Sequence, residues 1–199
     1  MTEKSDSHIG RVYHVDAVAS LVYVRVYKDR APALARLAHD HVIRAPLMHG
    51  EVVFDQAGSA NVDITFDAVQ LSVDEPWLRQ RLGLTKPISP SDRHKTAVNM
   101  RGATQLDTAH HPNISVRGCC HGPIENAGVA SFVGTIAVRG THASLETSVD
   151  YRVDASELSA RGQFTLRHSD FGMQPYKALL AAIRNRDALR FVFDIRATP

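Results

Sequence analysis

Leu158-Ser159-Ala160-Arg161-Gly162-Gln163-Phe164-Thr165-Leu166-Arg167-His168 is the stretch that decides the fold class. Leu158, Ala160, Gly162, Phe164, Leu166 and His168 share one parity, while Ser159, Arg161, Gln163, Thr165 and Arg167 share the other. Side chains alternate across a strand, so this is a half-buried β-strand with an apolar inner face. The same period recurs in Leu189, Phe191, Phe193 and Ile195, in Phe132, Gly134, Ile136 and Val138, and in Leu145, Thr147, Val149, Tyr151 and Val153. Between 61 and 73 the pattern slips: Val62, Ile64 and Phe66 hold one parity, Val69, Leu71 and Val73 the other. One extra residue near Asp67–Ala68 would reconcile them, which predicts a β-bulge bending a long strand. Further strands are expected near 10–16, 20–28, 36–44, 50–56 and 113–120. Roughly eight to ten strands with short turns predict an all-β fold, an antiparallel sandwich or closed barrel.

Three short helical segments interrupt the sheet. Asp74 is placed to cap a turn through Glu75, Pro76 and Trp77, and Ser91 to cap residues 92–101. Tyr176, Leu179, Leu180 and Ile183 stand at i, i+3, i+4 and i+7, the stripe of an amphipathic helix over 175–186 that would cover a barrel end. No repeat or composition break divides the chain, so residues 1–199 are expected to form one domain, with 1–9 flexible. Strands apolar on both faces (Val22, Val24 and Val26 against Leu21, Tyr23 and Tyr27) call for cover, from a helix or from a second copy in a homodimer.

Composition narrows the function. Of 199 residues, 44% are hydrophobic and 22% charged, an ordinary globular balance. Lys and Arg number 23 against 21 Asp and Glu, a net +2 that argues against nucleic acid as partner. No apolar run approaches the roughly 20 residues of a membrane-spanning helix, and the start, MTEKSDSHIG, does not read as a secretory signal. Cys119 and Cys120 are the only cysteines, adjacent and too close for an ordinary bridge. Two reduced thiols and no export signal point to the cytoplasm.

These segments, in this order, resemble the YceI-like family of lipocalin-like barrels. Arg167-His168-Ser169-Asp170-Phe171-Gly172-Met173 is similar to that family's closing S-x-F-G-M stretch, and Val138-Arg139-Gly140-Thr141 to its I-R-G-V-T turn. Gly50-Glu51-Val52-Val53-Phe54-Asp55 and Pro112-Asn113-Ile114-Ser115-Val116 are similar to two of its strand entries. Asp16-Ala17-Val18-Ala19-Ser20 departs from its D-x-x-H-S by lacking the histidine. The resemblance implies a barrel that binds a polyisoprenoid or another long-chain amphiphile without chemistry, and a dimer.

An antiparallel barrel of this size encloses a ligand if large side chains leave room. Phe66, Phe132, Ile136, Phe164, Leu166, Phe171, Phe191 and Phe193 are the candidates for lining a tunnel, with Gly134 and Gly162 leaving space. The same residues would serve equally in a filled core, which makes an interaction protein the rival reading. Arg79, Arg81 and Arg93 could meet a polar head through charge-assisted bonds. Eleven histidines raise a metal alternative, in which His39 and His41, two apart on one strand face, are the first ligands. Ser169 and Asp170 beside His168 hold the residue types of a hydrolytic triad, but neighbours in one extended segment point apart. No cofactor motif is present, and the chain is expected not to be an enzyme.

Overall fold

The computed structural model describes residues 8–29, 38–178 and 183–199. The alternating segments form β1 (Val12–Val15), β2 (Leu21–Lys28), β3 (His41–Arg44), β4 (Leu47–Phe54), β5 (Ala60–Asp67), β6 (Ser72–Val73), β7 (Asn113–Cys120), β8 (Ala127–Val138), β9 (Thr141–Val153), β10 (Leu158–Arg167), β11 (Lys177–Ala178) and β12 (Ile183–Thr198). β12 pairs antiparallel with β2 along its first part and with β1 at its end, Ala197 opposite Val15 and Thr198 opposite His14. β1 pairs with β4 while β2 pairs with β3, and β4 pairs with β5 while β3 pairs with β6. The first three staves of the ring are therefore β1 with β2, β3 with β4, and β5 with β6, each broken once. With β7, β8, β9, β10 and β12 they make an eight-stranded antiparallel barrel that closes on itself in chain order. Closure leaves no main edge for another chain to extend.

The breaks have local causes. Asp16 Oδ1 accepts from the backbone N–H groups of Val18 (2.8 Å) and Ala19 (2.9 Å), turning the chain between β1 and β2. Asp67 Oδ1 does the same for Val69 (2.8 Å) and Gln70 (3.3 Å). The parity change at Asp67–Ala68 is thus a turn that ends β5, not the expected one-residue bulge; Leu71 and Val73 are buried beyond it and Val69 is exposed. The register shifts lie in β4, between Leu47 and His49, and in β12, between Asn185 and Leu189. At the β8–β9 hairpin Arg139 (φ 52°) and Gly140 (φ 71°) both take left-handed conformations between Val138 and Thr141. That is the tight turn whose twist suits antiparallel strands, and it favours glycine.

The helices differ in detail from expectation. α1 (Pro76–Arg81) is preceded by Glu75, whose side chain makes no cap bond, and Asp74 is buried instead. α2 (Pro90–Arg101) is capped by Ser89, not Ser91: the Ser89 hydroxyl accepts from the Asp92 N–H at 3.0 Å. A helix over 175–186 is absent from its described parts, where β11 pairs with the start of β12 (Lys177 opposite Arg184, Ala178 opposite Ile183). Leu179 and Leu180 lie outside the described residues. Eight residues with that spacing also suit a hairpin, because the stripe alone does not test whether the chain reverses. Of the stretch expected to be flexible, 1–7 lies outside the described residues, whereas His8 is buried, its Nε2–H donating to the Ile124 carbonyl at 2.8 Å. Among the described residues no helix is long and apolar enough to cross a membrane.

Candidate functional site

The inward parity of the strands builds a core in two parts. At the end carrying β1, His8 and Tyr13 each pack edge to face against Phe54, with ring centroids 4.5 and 5.7 Å apart. At the other end Ile136, Val138, Phe171 and Met173 form a second cluster. Between and beside these clusters the interior is not filled. An inner cavity of about 150 Å³ presents only apolar surface, from residues such as Val62, Ala130, Phe132, Val149 and Phe164. An outer cavity of about 500 Å³ opens towards α2. The outer wall is apolar on the barrel side (Val24, Val26, Phe66, Leu189) and polar where α2 crosses it. Asp92, Lys95, Thr96, Asn99 and Met100 line it at i, i+3, i+4, i+7 and i+8, a single helix face.

The predicted lining residues divide between the two spaces. Phe132, Ile136, Phe164 and Phe193 face the inner cavity, Phe66 and Phe171 the outer, and Phe191 both. Leu166 faces neither and packs against the second cluster. The room expected above the two glycines is taken by rings. A side chain on Gly162 would meet the Phe193 ring at 2.5 Å, and one on Gly134 would meet the Phe132 ring at 2.9 Å and the Arg117 carbonyl oxygen at 2.2 Å.

None of the three predicted arginines lines the cavity. Arg79 is buried and donates to Asp74 (2.7 Å), to the Asp40 carbonyl (2.9 Å) and to the Lys86 carbonyl (2.8 Å). Arg81 is exposed at the end of α1, and Arg93 lies off the α2 face that meets the cavity. Much of the basic stretch pins the mouth together through main-chain carbonyls: Lys86 holds Ala38 (3.1 Å), and Arg101 holds Val69 (3.0 Å) and Leu71 (2.7 Å). The residues that sequence reasoning passed over are Thr96, Asn99, Gln105 and Asn185. Their helical spacing on α2 was readable, but a search for apolar stripes ignores a polar one.

Asp74 is the hub of the mouth. Fully buried and in a left-handed conformation (φ 53°), it accepts from His41 Nδ1 (2.6 Å), the Val42 N–H (3.0 Å) and Arg79. Burial would raise its pKa, but the bonds from His41, Val42 and Arg79 outweigh it and hold the carboxyl below its ordinary range. Glu75 beside it accepts from Arg44, Ser72 and Trp77, tying β3, β6 and α1 together. His39 and His41 both line the outer cavity, 6.3 Å between ring centroids, yet His41 Nδ1 is committed to Asp74. Among the described residues no group of three His, Cys, Asp or Glu could hold a metal ion. Two donors do not by themselves make a closed site. Burial, with Lys86, His41 and Arg79 nearby, holds His39 below its usual range, and burial does the same to His168. His168 Nδ1–H donates to the Asp187 carbonyl (2.9 Å) and Ser169 Oγ–H to the Asp187 carboxylate (2.6 Å), so serine and histidine each bond Asp187 rather than one another. Burial pushes the Cys120 thiol, in the inner wall, up to about 11, where it behaves as a small hydrophobe.

A closed eight-stranded ring around an apolar interior, with a helix across one mouth, defines a lipocalin-like barrel. Solved structures share it. The chain is similar to a polyisoprenoid binding domain from Saccharophagus degradans implicated in plant cell wall breakdown (12% identity, TM-score 0.60, 94% of this chain and 97% of that one). It is similar to Burkholderia cenocepacia BcnA (13%, TM-score 0.59, 92% and 99%) and to a Campylobacter jejuni YCEI protein (10%, TM-score 0.50, 78% and 84%). At such identities the likeness is one of fold. No curated protein matches the chain in sequence. The family model of the YceI-like domain matches residues 13–197, and the chain belongs to the YceI-like family.

Proposed function

We propose that this protein is a non-enzymatic carrier of a long-chain isoprenoid or similar amphiphilic lipid, on a single barrel domain over residues 1–199. The observation that supports it most is the unfilled apolar interior. A cavity of about 150 Å³ whose wall presents only apolar surface suits a hydrocarbon occupant, each buried methylene contributing roughly 0.8 kcal/mol. The polar α2 face at the outer mouth orients such an occupant: head towards Lys95 and Asn99, chain towards Phe191. The similar Saccharophagus degradans domain is named for binding polyisoprenoid, which fits the same reading.

The reading extends to setting and assembly. Two adjacent free thiols suit a reducing compartment, here the cytoplasm. With Val22, Val24 and Val26 facing inward, Leu21, Tyr23 and Tyr27 form a half-buried outer face on β2 that a second copy would cover in a homodimer. Native mass spectrometry of freshly purified protein, referenced to its denatured mass, tests the carrier reading. The expected result is an adduct of several hundred daltons that is lost on denaturation. A bare polypeptide that also takes up no added farnesol or geranylgeraniol would overturn it.

A further inference from the structure

We propose that Phe191, braced by Phe164, is a length-discriminating gate that a bound chain must displace to enter the inner compartment; this rests on the carrier reading above. Among the described residues, only Phe191 and Val22 stand in the walls of both cavities. They occupy the adjacent strands β12 and β2, where Phe191 lies opposite Val24 and Val22 opposite Phe193, so they meet at the waist between the two spaces. Phe191 is held there from its other side. It pairs directly with Phe164 across β10 and β12, and the two rings stack with centroids 4.8 Å apart and planes 6° from parallel. Turning Phe191 alone forfeits that stacking. Val22 is β-branched and stiff about its first torsion, so it does not swing aside in its place.

The two compartments also differ in kind. The outer one carries the polar α2 face, Gln105 and three histidines, and suits a head group with the first part of its chain. The inner one has only apolar surface and suits nothing but hydrocarbon. A chain short enough to end against Phe191 leaves the aromatic pair intact. A longer one gains the inner compartment only after unstacking it. The barrel therefore sorts amphiphiles into two length classes, and Phe191 sets the boundary.

The test uses prenyl alcohols of increasing length, from geraniol through farnesol and geranylgeraniol to longer members, titrated calorimetrically into the full chain. In the wild type, affinity is expected to rise by roughly fourfold per methylene buried, to stall over the lengths that meet Phe191, and to rise again beyond. Phe191→Ala is expected to remove the stall, so that every added unit tightens binding. Phe191→Leu, closer in volume, serves the same purpose should the alanine variant fail to fold, and Phe132→Ala, which enlarges the inner compartment without touching the gate, is expected to keep the stall. The same length profile in wild type and both Phe191 variants overturns the gate. A profile that stays flat beyond the stall in every variant also overturns it, because the inner space would then hold no chain. If no prenyl alcohol binds a wild type that also carries no lipid adduct by native mass spectrometry, the carrier reading itself falls, and the gate with it; if none binds protein freed of its adduct, the gate alone is overturned.

Discussion

Asp74 shows how one residue can decide the shape of a barrel mouth. Its carboxylate is buried and serves His41, the Val42 amide and Arg79 at once, on the backbone that leads from β6 into α1. Removing one partner of such a buried pair leaves the other charge uncompensated, so Asp74→Ala is expected to cost about 3–5 kcal/mol in urea unfolding. A loss under about 1 kcal/mol would show that Arg79 and His41 find other partners. Because the folded-state pKa of Asp74 lies below its unfolded value, its contribution is present above the ordinary carboxylate range and lost as pH falls through the folded pKa. The histidines act at higher pH. His39 and His168 are held below the ordinary histidine range, so the unfolded chain binds their protons first. Stability is expected to decline as pH drops below about 6.5. A His39→Gln, His168→Gln double variant should flatten that decline between neutral pH and about 5; an unchanged slope would assign it to other groups.

Strand and helix behaviour turns on close approach and capping. Gly162 on β10 lies opposite Phe193 on β12, and a methyl group there would meet the Phe193 ring at 2.5 Å and the Ser148 carbonyl oxygen at 2.9 Å. Gly162→Ala is expected to cost about 1–3 kcal/mol through overpacking. A double-mutant cycle with Phe193→Leu should recover part of the loss, since the smaller side chain retreats from the clash. Strict additivity would locate the strain in the backbone instead. α2 is a different case: none of its residues is buried, so its order rests on its ends. Ser89 caps one end and Arg101 ties the other to the β5–β6 turn. Ser89→Ala is expected to cost about 1 kcal/mol, seen as faster amide exchange in the first turn of α2 with the barrel strands unaffected.

The whole molecule is a closed ring with an apolar cavity inside it. Filling the inner compartment should therefore separate stability from binding. Ala160, in the inner wall, replaced by Leu is expected to raise the thermal stability of the ligand-free protein by about 0.5–2 kcal/mol. The same change should weaken binding of the longest prenyl alcohols while sparing those that end in the outer cavity. Loss of stability with unchanged binding would show that the void is already too narrow to fill. Ligand itself should stabilise the fold, by about 2.7 kcal/mol at a hundred times its Kd, which a thermal shift at graded prenol concentration would register.

The sequence by itself determined the all-β class and the inward parity, because burial on one face of a strand writes a period of two directly into residue type, while the choice between sandwich and closed barrel fell to the pairing of β12 with β1 and β2. Phe132, Phe164, Phe191 and Phe193 were all legible as interior in this way. It also carried the family through the S-x-F-G-M and R-G-T segments, whose residues do turn the chain where they stand. Only the tertiary structure decided what alternation cannot express. Parity says that a side chain points inward, not whether another side chain meets it there. The inner void, the stacked pair at the waist and the rings over Gly134 and Gly162 are therefore matters of packing across strands distant in sequence. Charge is likewise silent about its partner. The basic stretch from Arg79 to Arg101 suggests an anionic ligand, yet Arg79, Lys86 and Arg101 are taken up by Asp74 and by main-chain carbonyls of the barrel rim, and the polar face left to a ligand comes from Lys95, Thr96 and Asn99. Which hydrogen-bond acceptor lies within reach of a long cation is settled when the chain folds, since the carbonyls of Asp40, Ala38 and Val69 that Arg79, Lys86 and Arg101 meet are 39, 48 and 32 positions away.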